Sequence, residues 1–116
     1  MKMLSTMAVG LIYMHTRAAA DDAAVDGAVK AADDLFARGS VGAAQQKYEE
    51  LLRSRPGSAE ITERLSYIYH LTGQYQKAVA HFEQAAKLSP RRRIPILAYS
   101  VYTRYLLRDY AAALET

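Results

Sequence analysis

Two stretches decide the reading of this chain: GSVGAAQQKYEELLRSRP at 39–56 and GQYQKAVAHFEQAAKLSP at 73–90. Laid over each other at a shift of 34, they align Gly39 with Gly73, Ala44 with Ala78, Tyr48 with Phe82 and Pro56 with Pro90. The shift also carries Ala31 onto Leu65, Leu35 onto Tyr69 and Val41 onto Tyr75. Glycine, alanine, aromatic and proline at the same offsets in both copies mark an internal repeat rather than coincidence. Each member has a physical task. The glycines suit the left-handed backbone that ends a helix. The alanines let two helices approach closely, and the aromatics fill the space toward the next pair. The prolines stop the second helix, because they have no N–H to donate and their ring clashes with the preceding turn.

Apolar spacing agrees with helices on either side of each glycine. Ile61, Leu65, Ile68 and Tyr69 share one helical face, as do Ala78, Val79, Phe82, Ala85 and Ala86. The expected elements are helix pairs at 25–38 with 41–54 and 59–72 with 75–88. A third first helix begins near Pro95, a residue suited to a first turn, and runs to about Arg108. Asp109 to Leu114 reads as the opening of another second helix, shifted by one residue, with Ala113 in the part of Ala44 and Ala78. The repeats thus span about 25–58, 59–92 and an incomplete 93–116, within a helical domain at 21–116.

These residues resemble the tetratricopeptide repeat family over about Val25 to the C-terminus. The resemblance implies an all-α fold of antiparallel helix pairs stacked in a right-handed superhelix, and a role in binding other proteins rather than in catalysis. The chain departs from the family pattern at Ala28 and Thr62, where an early aromatic is usual, and at Arg108, where glycine is expected. With a third repeat that stops at Thr116 without its closing proline, the chain reads as the front of a longer protein.

In this family the first helix of each pair lines a concave surface that grips a partner. Carried over, that surface takes Asp26, Val29, Asp33 and Phe36 from the first pair. It takes Glu60, Glu63, Tyr67, His70 and Leu71 from the second, and Ala98, Tyr102 and Tyr105 from the third. The strongest candidates are Asp33, Phe36, Glu60, Glu63, Tyr67, His70 and Tyr102. Glu60, Glu63, Tyr67 and His70 follow steps of 3, 4 and 3 and so share one helical face. Carboxylates around an aromatic ring suit a peptide or helix with Lys or Arg beside an apolar anchor. Tetratricopeptide clamps for the carboxylate of chaperone tails use lysine and asparagine. Val29, Asp33, Glu63 and Tyr67 occupy those positions here, which argues against that subtype. Tyr48, Tyr69 and Phe82 belong to the core.

Charge narrows the partners further. The formal charge is +3, but residues 21–116 hold 13 basic and 12 acidic side chains, a net of +1. Residues 21–50 have 3 basic against 7 acidic, and residues 51–116 have 10 against 5. A body this close to neutral argues against nucleic acid as the partner, which needs a concentrated basic surface. Arg91-Arg92-Arg93 is the one basic run, and it reads as favouring the end of the helix before it through the helix dipole.

Cofactor and metal chemistry find no pattern to rest on. The chain has no cysteine, which removes thiolate ligands and disulfides and says nothing of compartment. His15, His70 and His81 bring no acidic ligand pattern with them. No Gly-rich phosphate loop or nucleophile–base arrangement is present.

Met1 to Ala20 reads as a leader. Lys2 gives a positive start, Met3 to Met14 is a mostly apolar run, and Ala18-Ala19-Ala20 offers the small residues of a cleavage site. The run is too short to span a membrane, which takes about 20 apolar residues. Export with cleavage after Ala20 leads. A mitochondrial presequence and an uncleaved anchor, which would tether the chain to a membrane, remain as alternatives. The functional readings that follow are a protein-binding scaffold or, alternatively, the repeat head of a larger exported enzyme or polysaccharide-export protein.

Overall fold

The computed structural model describes residues 24–115, all in helices and short turns, with no strand among them. The leader lies outside the described residues. Helix α1 covers 24–37, α2 is Val41–Ser54, α3 is Ala59–Leu71 and α4 is Tyr75–Leu88. A 3-10 turn, Pro90–Arg92, leads directly into α5, Arg93–Glu115. No helix among the described residues is long and apolar enough to cross a membrane.

The two glycines close α1 and α3 in the same way. Gly39 has φ 84° and Gly73 φ 78°. Beyond each, two hydrogen bonds reach back to the last turn: Gly39 N–H to Phe36 O and Ser40 N–H to Leu35 O, then Gly73 N–H to His70 O and Gln74 N–H to Tyr69 O. This is the Schellman arrangement, which satisfies carbonyls the helix leaves open and needs a residue tolerant of positive φ. The chain can therefore reverse within three residues. Pro56 and Pro90 each stand two residues past the helix they end, and the residue before each has left the helical region, with φ −133° and ψ 68° at Arg55 and φ −130° and ψ 87° at Ser89. Ser58 caps α3 by accepting from the Ile61 N–H at 3.2 Å.

The core runs through the repeat positions. Ala32, Ala44, Ala78 and Ala85 have no exposed surface, and Tyr48, Ile61, Leu65, Ile68, Tyr69 and Phe82 are buried around them. An alanine at the crossing point leaves only a methyl group between backbones, so α2 lies close on α1, and α4 on α3. Phe82 reaches past its own pair and stacks on Tyr99 of α5, with ring centroids 5.7 Å apart. Thr62, where an aromatic is usual, is buried because its hydroxyl donates to the Ser58 carbonyl at 2.7 Å.

Three expectations need correction. Helix α5 does not end at Arg108 but runs unbroken to Glu115, so Asp109–Leu114 does not open a second helix. The reason is local. Arg108 cannot take the backbone that Gly39 and Gly73 adopt without strain, and among the described residues no non-glycine residue has positive φ. The flanking Leu106-Leu107 and Ala111-Ala112-Ala113 are strong helix formers. Val29 is core, 6% exposed, rather than part of a binding face. The arginine run does not serve the end of α4. Pro90 has already stopped that helix, Arg91 and Arg92 lie in the 3-10 turn, and Arg93 opens α5.

The packing sets the first prediction. Ala78→Leu should overpack the α3–α4 contact and cost about 1–3 kcal/mol. Phe82→Ala should cost about 3–5 kcal/mol through the cavity it leaves. Denaturant unfolding followed by circular dichroism measures both, and unchanged midpoints would mean that these side chains do not face the helices named.

A candidate partner-binding groove on the α1–α3–α5 face

The first helices of the pairs, α1 and α3, line up with α5 to form one face of the molecule, and all seven of the strongest candidates lie in two depressions or ring contacts along α3. A groove of about 760 Å³ runs beside it, lined by Glu60, Glu63, Arg64, Tyr67, Arg92 and Tyr99 among others. A second depression of about 240 Å³ lies on the α1 side, with Asp33, Phe36, Tyr48, Arg64 and Tyr67 in its wall. Arg64 and Tyr67 border both, so the two form one continuous surface.

Aromatic rings make the middle of it. Tyr67 meets Phe36 edge-on at 6.2 Å and Tyr99 edge-on at 5.8 Å, and it stacks on His70 at 6.4 Å. His70 continues the chain to Tyr102 at 5.4 Å and Tyr75 at 6.1 Å. Tyr67 and Tyr102 remain substantially exposed, as a surface that receives another molecule requires. Tyr105 is also exposed but takes no part in these ring contacts among the described residues.

The carboxylates are not bare. Arg64 donates from Nε to Asp33 at 2.8 Å and from Nη1 to Glu60 at 2.7 Å. Arg92 grips Glu63 with two nitrogens, Nε at 2.9 Å and Nη2 at 2.5 Å. Tyr48 also donates its hydroxyl to Asp33. Asp33, Glu60 and Glu63 thus face two guanidiniums, and the groove is nearly charge-balanced instead of acidic. Burial works against the charge of Arg64, but the hydrogen bond and negative charge of Asp33 outweigh it and hold its pKa above the usual value. Burial, and then Asp33, push the Tyr48 phenol well above the ordinary range.

Sequence reasoning missed Arg64 and Arg92. For Arg64 a signal existed, since it stands four residues after Glu60 and three before Tyr67 on the same face. Arg92 reaches Glu63 only through the fold, across 29 residues, and no local spacing foretells it.

On the opposite side of α3 a second polar cluster holds α2 in place. Tyr69 donates to Glu49 at 2.9 Å, and so does Gln45. Burial and then Glu49 push the Tyr69 phenol up to about 12. Burial alone would raise the Glu49 pKa, but the hydrogen bonds from Gln45 and Tyr69 hold it below the usual value. Among the described residues no group of three or more His, Cys, Asp or Glu is gathered as a metal site would need.

The sequence model of the tetratricopeptide repeat matches residues 29–92, more than half of the chain. The chain belongs to the tetratricopeptide repeat family. None of the curated proteins compared with it matches the chain. Repeats of this family generally mediate protein–protein interaction and typically form non-catalytic scaffolds. In this tetratricopeptide chain the matched span begins within α1, covers the second repeat in full and contains all of α3, the helix that both depressions share.

His70 generates a prediction. Its Nδ1 lies 2.8 Å from the Thr103 hydroxyl, which itself donates to the Tyr99 carbonyl at 2.7 Å. The Thr103 oxygen is therefore the acceptor and Nδ1–H the donor. Burial among the rings lowers the His70 pKa from 6.5. The unfolded chain then binds the proton more readily than the folded one, so stability falls as pH drops through 6.5 and levels off below the folded value. Melting temperature should fall between about pH 7.5 and about 5.5. His70→Phe, which keeps a ring but takes no proton, should flatten that slope. An equal slope in the variant would place the titration elsewhere.

Proposed function

We propose that this chain is a non-catalytic scaffold that holds a peptide or helix of another protein in the groove along α3. The observation that carries the reading is the row of rings, half-buried Phe36 with exposed Tyr67, Tyr99 and Tyr102, bordered by paired charges at Asp33, Glu60, Glu63, Arg64 and Arg92. An apolar side chain of the partner sits against Tyr67, where ring contact and buried area supply most of the affinity. Charge sets orientation. Glu60 and Arg92 are largely exposed, and exposed ion pairs are worth little, so they open at small cost. A Lys or Arg beside the anchor takes up Glu60 or Glu63 as the resident arginine turns away. Because the carboxylates already have partners, preference for a cationic segment is weaker than a bare acidic groove would give.

The test begins with a partner recovered by pull-down. Tyr67→Ala should weaken its binding at least tenfold, about 1.4 kcal/mol, while Glu63→Lys, which also repels Arg92, should change both affinity and salt dependence. If both variants bind as the wild type does with helicity intact, the groove along α3 is not the site.

We also propose that the chain is exported, on the strength of Lys2, the apolar run to Met14 and Ala18-Ala19-Ala20. Mass spectrometry of the protein from its native host should find an N-terminus at Asp21. An N-terminus still at Met1 would leave the anchored or intracellular alternatives.

A further inference from the structure

Helices α1 and α3 run side by side in the same direction. Arg64 meets Asp33 and Tyr67 meets Phe36, each pair 31 residues apart. That offset puts Glu60 level with Val29 and leaves the first turn of α1 standing beyond the start of α3. A depression of about 610 Å³ marks the junction, with Val25, Asp26 and Val29 of α1 facing Glu60 and Ile61 of α3. Glu60 also lines the α3 groove. The chain that precedes α1 therefore joins the helical body one side chain away from the end of the groove.

The groove presents its chemistry in order. From the start of α3 come Glu60 and Glu63, then the exposed ring of Tyr67, with Tyr99 and Tyr102 beyond it. Glu60 and Tyr67 are about 10 Å apart along the helix axis. Read away from α1, the leader offers the matching chemistry in the same order: the cation Arg17 first, then Met14, Tyr13, Ile12 and Leu11. Residues 1–20 hold no acid that Glu60 or Glu63 would repel. Length fits as well. Glu60 lies about 7–8 Å along the axis from Ala24 and one helix spacing, about 10 Å, to the side. The chain from Arg17 to Ala24 spans up to about 23 Å.

The resident ion pairs permit the exchange. Arg64 holds Asp33 as well as Glu60, so Arg17 can take Glu60 and leave Arg64 paired. Glu60 is also the more exposed of those two carboxylates, at 58% against 37%. Arg92 stands on the α5 side of the groove, with Arg91 and Arg93 exposed beside it in sequence. A cationic segment is therefore favoured along the α1 side and disfavoured along that turn.

We propose, on the reading of the α3 groove as a receiver of apolar segments that carry Lys or Arg, that its first occupant is the chain's own leader. In the uncleaved chain Arg17 pairs with Glu60, and the apolar side chains of residues 11–14 cover Tyr67. Leader and partner then compete for one surface. The tether favours the leader, because a short flexible connection gives an effective concentration of about millimolar and weak contacts suffice to keep the groove closed. Hydrolysis of the Ala20–Asp21 peptide bond, in which water gives OH to the Ala20 carbonyl carbon and H to the Asp21 nitrogen, cuts the tether. The freed leader is lost by dilution, and the groove opens to its partner only after that cleavage.

The chain has no cysteine, so Thr16→Cys provides a single site for a nitroxide. In the isotopically enriched full chain the nitroxide should broaden the amide signals of Phe36, Glu60, Glu63 and Tyr67. It should spare those of Gln46 and Glu50, exposed on α2. Arg17→Glu and Glu60→Lys should each remove the broadening with helical circular dichroism unchanged, and the two together should restore it, a rescue that apolar contact alone does not produce. A fluorescein-labelled peptide of residues 9–20 then reads whether the groove is occupied. By fluorescence anisotropy it should bind the full chain carrying Tyr13→Asp and Arg17→Glu at least about tenfold more tightly than the unaltered chain. Broadening spread evenly over both faces would overturn the proposal, as would single variants that the pair does not rescue. Equal binding of the peptide to both chains would overturn it while leaving the groove a receiver of such segments. Binding to neither chain would overturn it too, and the effect of Tyr67→Ala on a recovered partner would then show whether the groove receives other segments. Broadening passed from a labelled copy to an unlabelled one would overturn it by assigning the groove to the leader of a second copy.

Discussion

The close approach of paired helices at Ala44 and Ala78 is the constraint on which the remaining geometry depends. Neither residue has exposed surface, and a larger side chain at either point would push α2 from α1, or α4 from α3. Once the backbones are that near, the connection between them must be very short. The Schellman turns at Gly39 and Gly73 supply it, reversing the chain while satisfying the carbonyls of the last turn. The prolines act at the other end of each second helix, where a non-helical residue carries the chain into the next repeat. Alanine, glycine and proline thus fix the pair, the turn and the step, and aromatic residues are left to fill the joints between steps.

Those joints use equivalent positions for different chemistry. Between the first and second repeats, the Tyr48 hydroxyl and the Arg64 guanidinium both meet the carboxylate of Asp33. Shifted by 34, 34 and 35 residues, the same three places hold Phe82, Tyr67 and Tyr99. There Phe82 stacks on Tyr99, and Tyr99 meets the edge of Tyr67. One joint is closed by charge and hydrogen bonds, the other by rings. The change determines the character of the exposed face. At the polar joint Arg64 is committed to Asp33 and Glu60, whereas at the aromatic joint the outer faces of Tyr67 and Tyr99 have no hydrogen-bonding demand to hold them closed. The site most open to an apolar side chain therefore lies toward α5, not at the centre of the matched repeats.

The fold was legible because its decisive residues act locally. Gly39 and Gly73 announce turns through backbone freedom, Pro56 and Pro90 announce stops, and the spacing of Ile61, Leu65, Ile68 and Tyr69 announces a buried face, all within one or two helical turns. The candidate groove was legible in part. The steps that join Glu60, Glu63, Tyr67 and His70 placed them together, but their electrostatic state depends on side chains that arrive from elsewhere. Arg92 comes from a turn beyond α4, and Asp33 from α1. Val29 misled because equivalence in the family pattern names a position along a helix, while burial depends on how α1 rotates against α2 and α3. The supposed break at Arg108 failed for a plainer reason. A shifted alignment proposed a turn where the residue itself, an arginine between leucines and alanines, favours continuing helix.

The unbroken α5 changes what the last helix must do. Ile96 is the one fully buried apolar residue it contributes among the described residues, and the Ser100 and Thr103 hydroxyls occupy the rest of its inner face. Thr103 bonds its own helix through the Tyr99 carbonyl and ties α3 through His70. Such bonds satisfy the polar groups and orient the helix. Their net contribution is about 0.5–1.5 kcal/mol each, less than a fully buried Leu or Ile would supply. Helix α5 is therefore held to the body less by apolar burial than α3 or α4, and Ile94, Val101 and Tyr105 on it are exposed. Any molecule that covers these side chains binds the folded helix and not the unfolded one, so it adds its binding free energy to the docking of α5. Tyr99 and Tyr102, on the same helix, help form the aromatic wall of the α3 groove. The order of that wall consequently depends on how firmly α5 is seated.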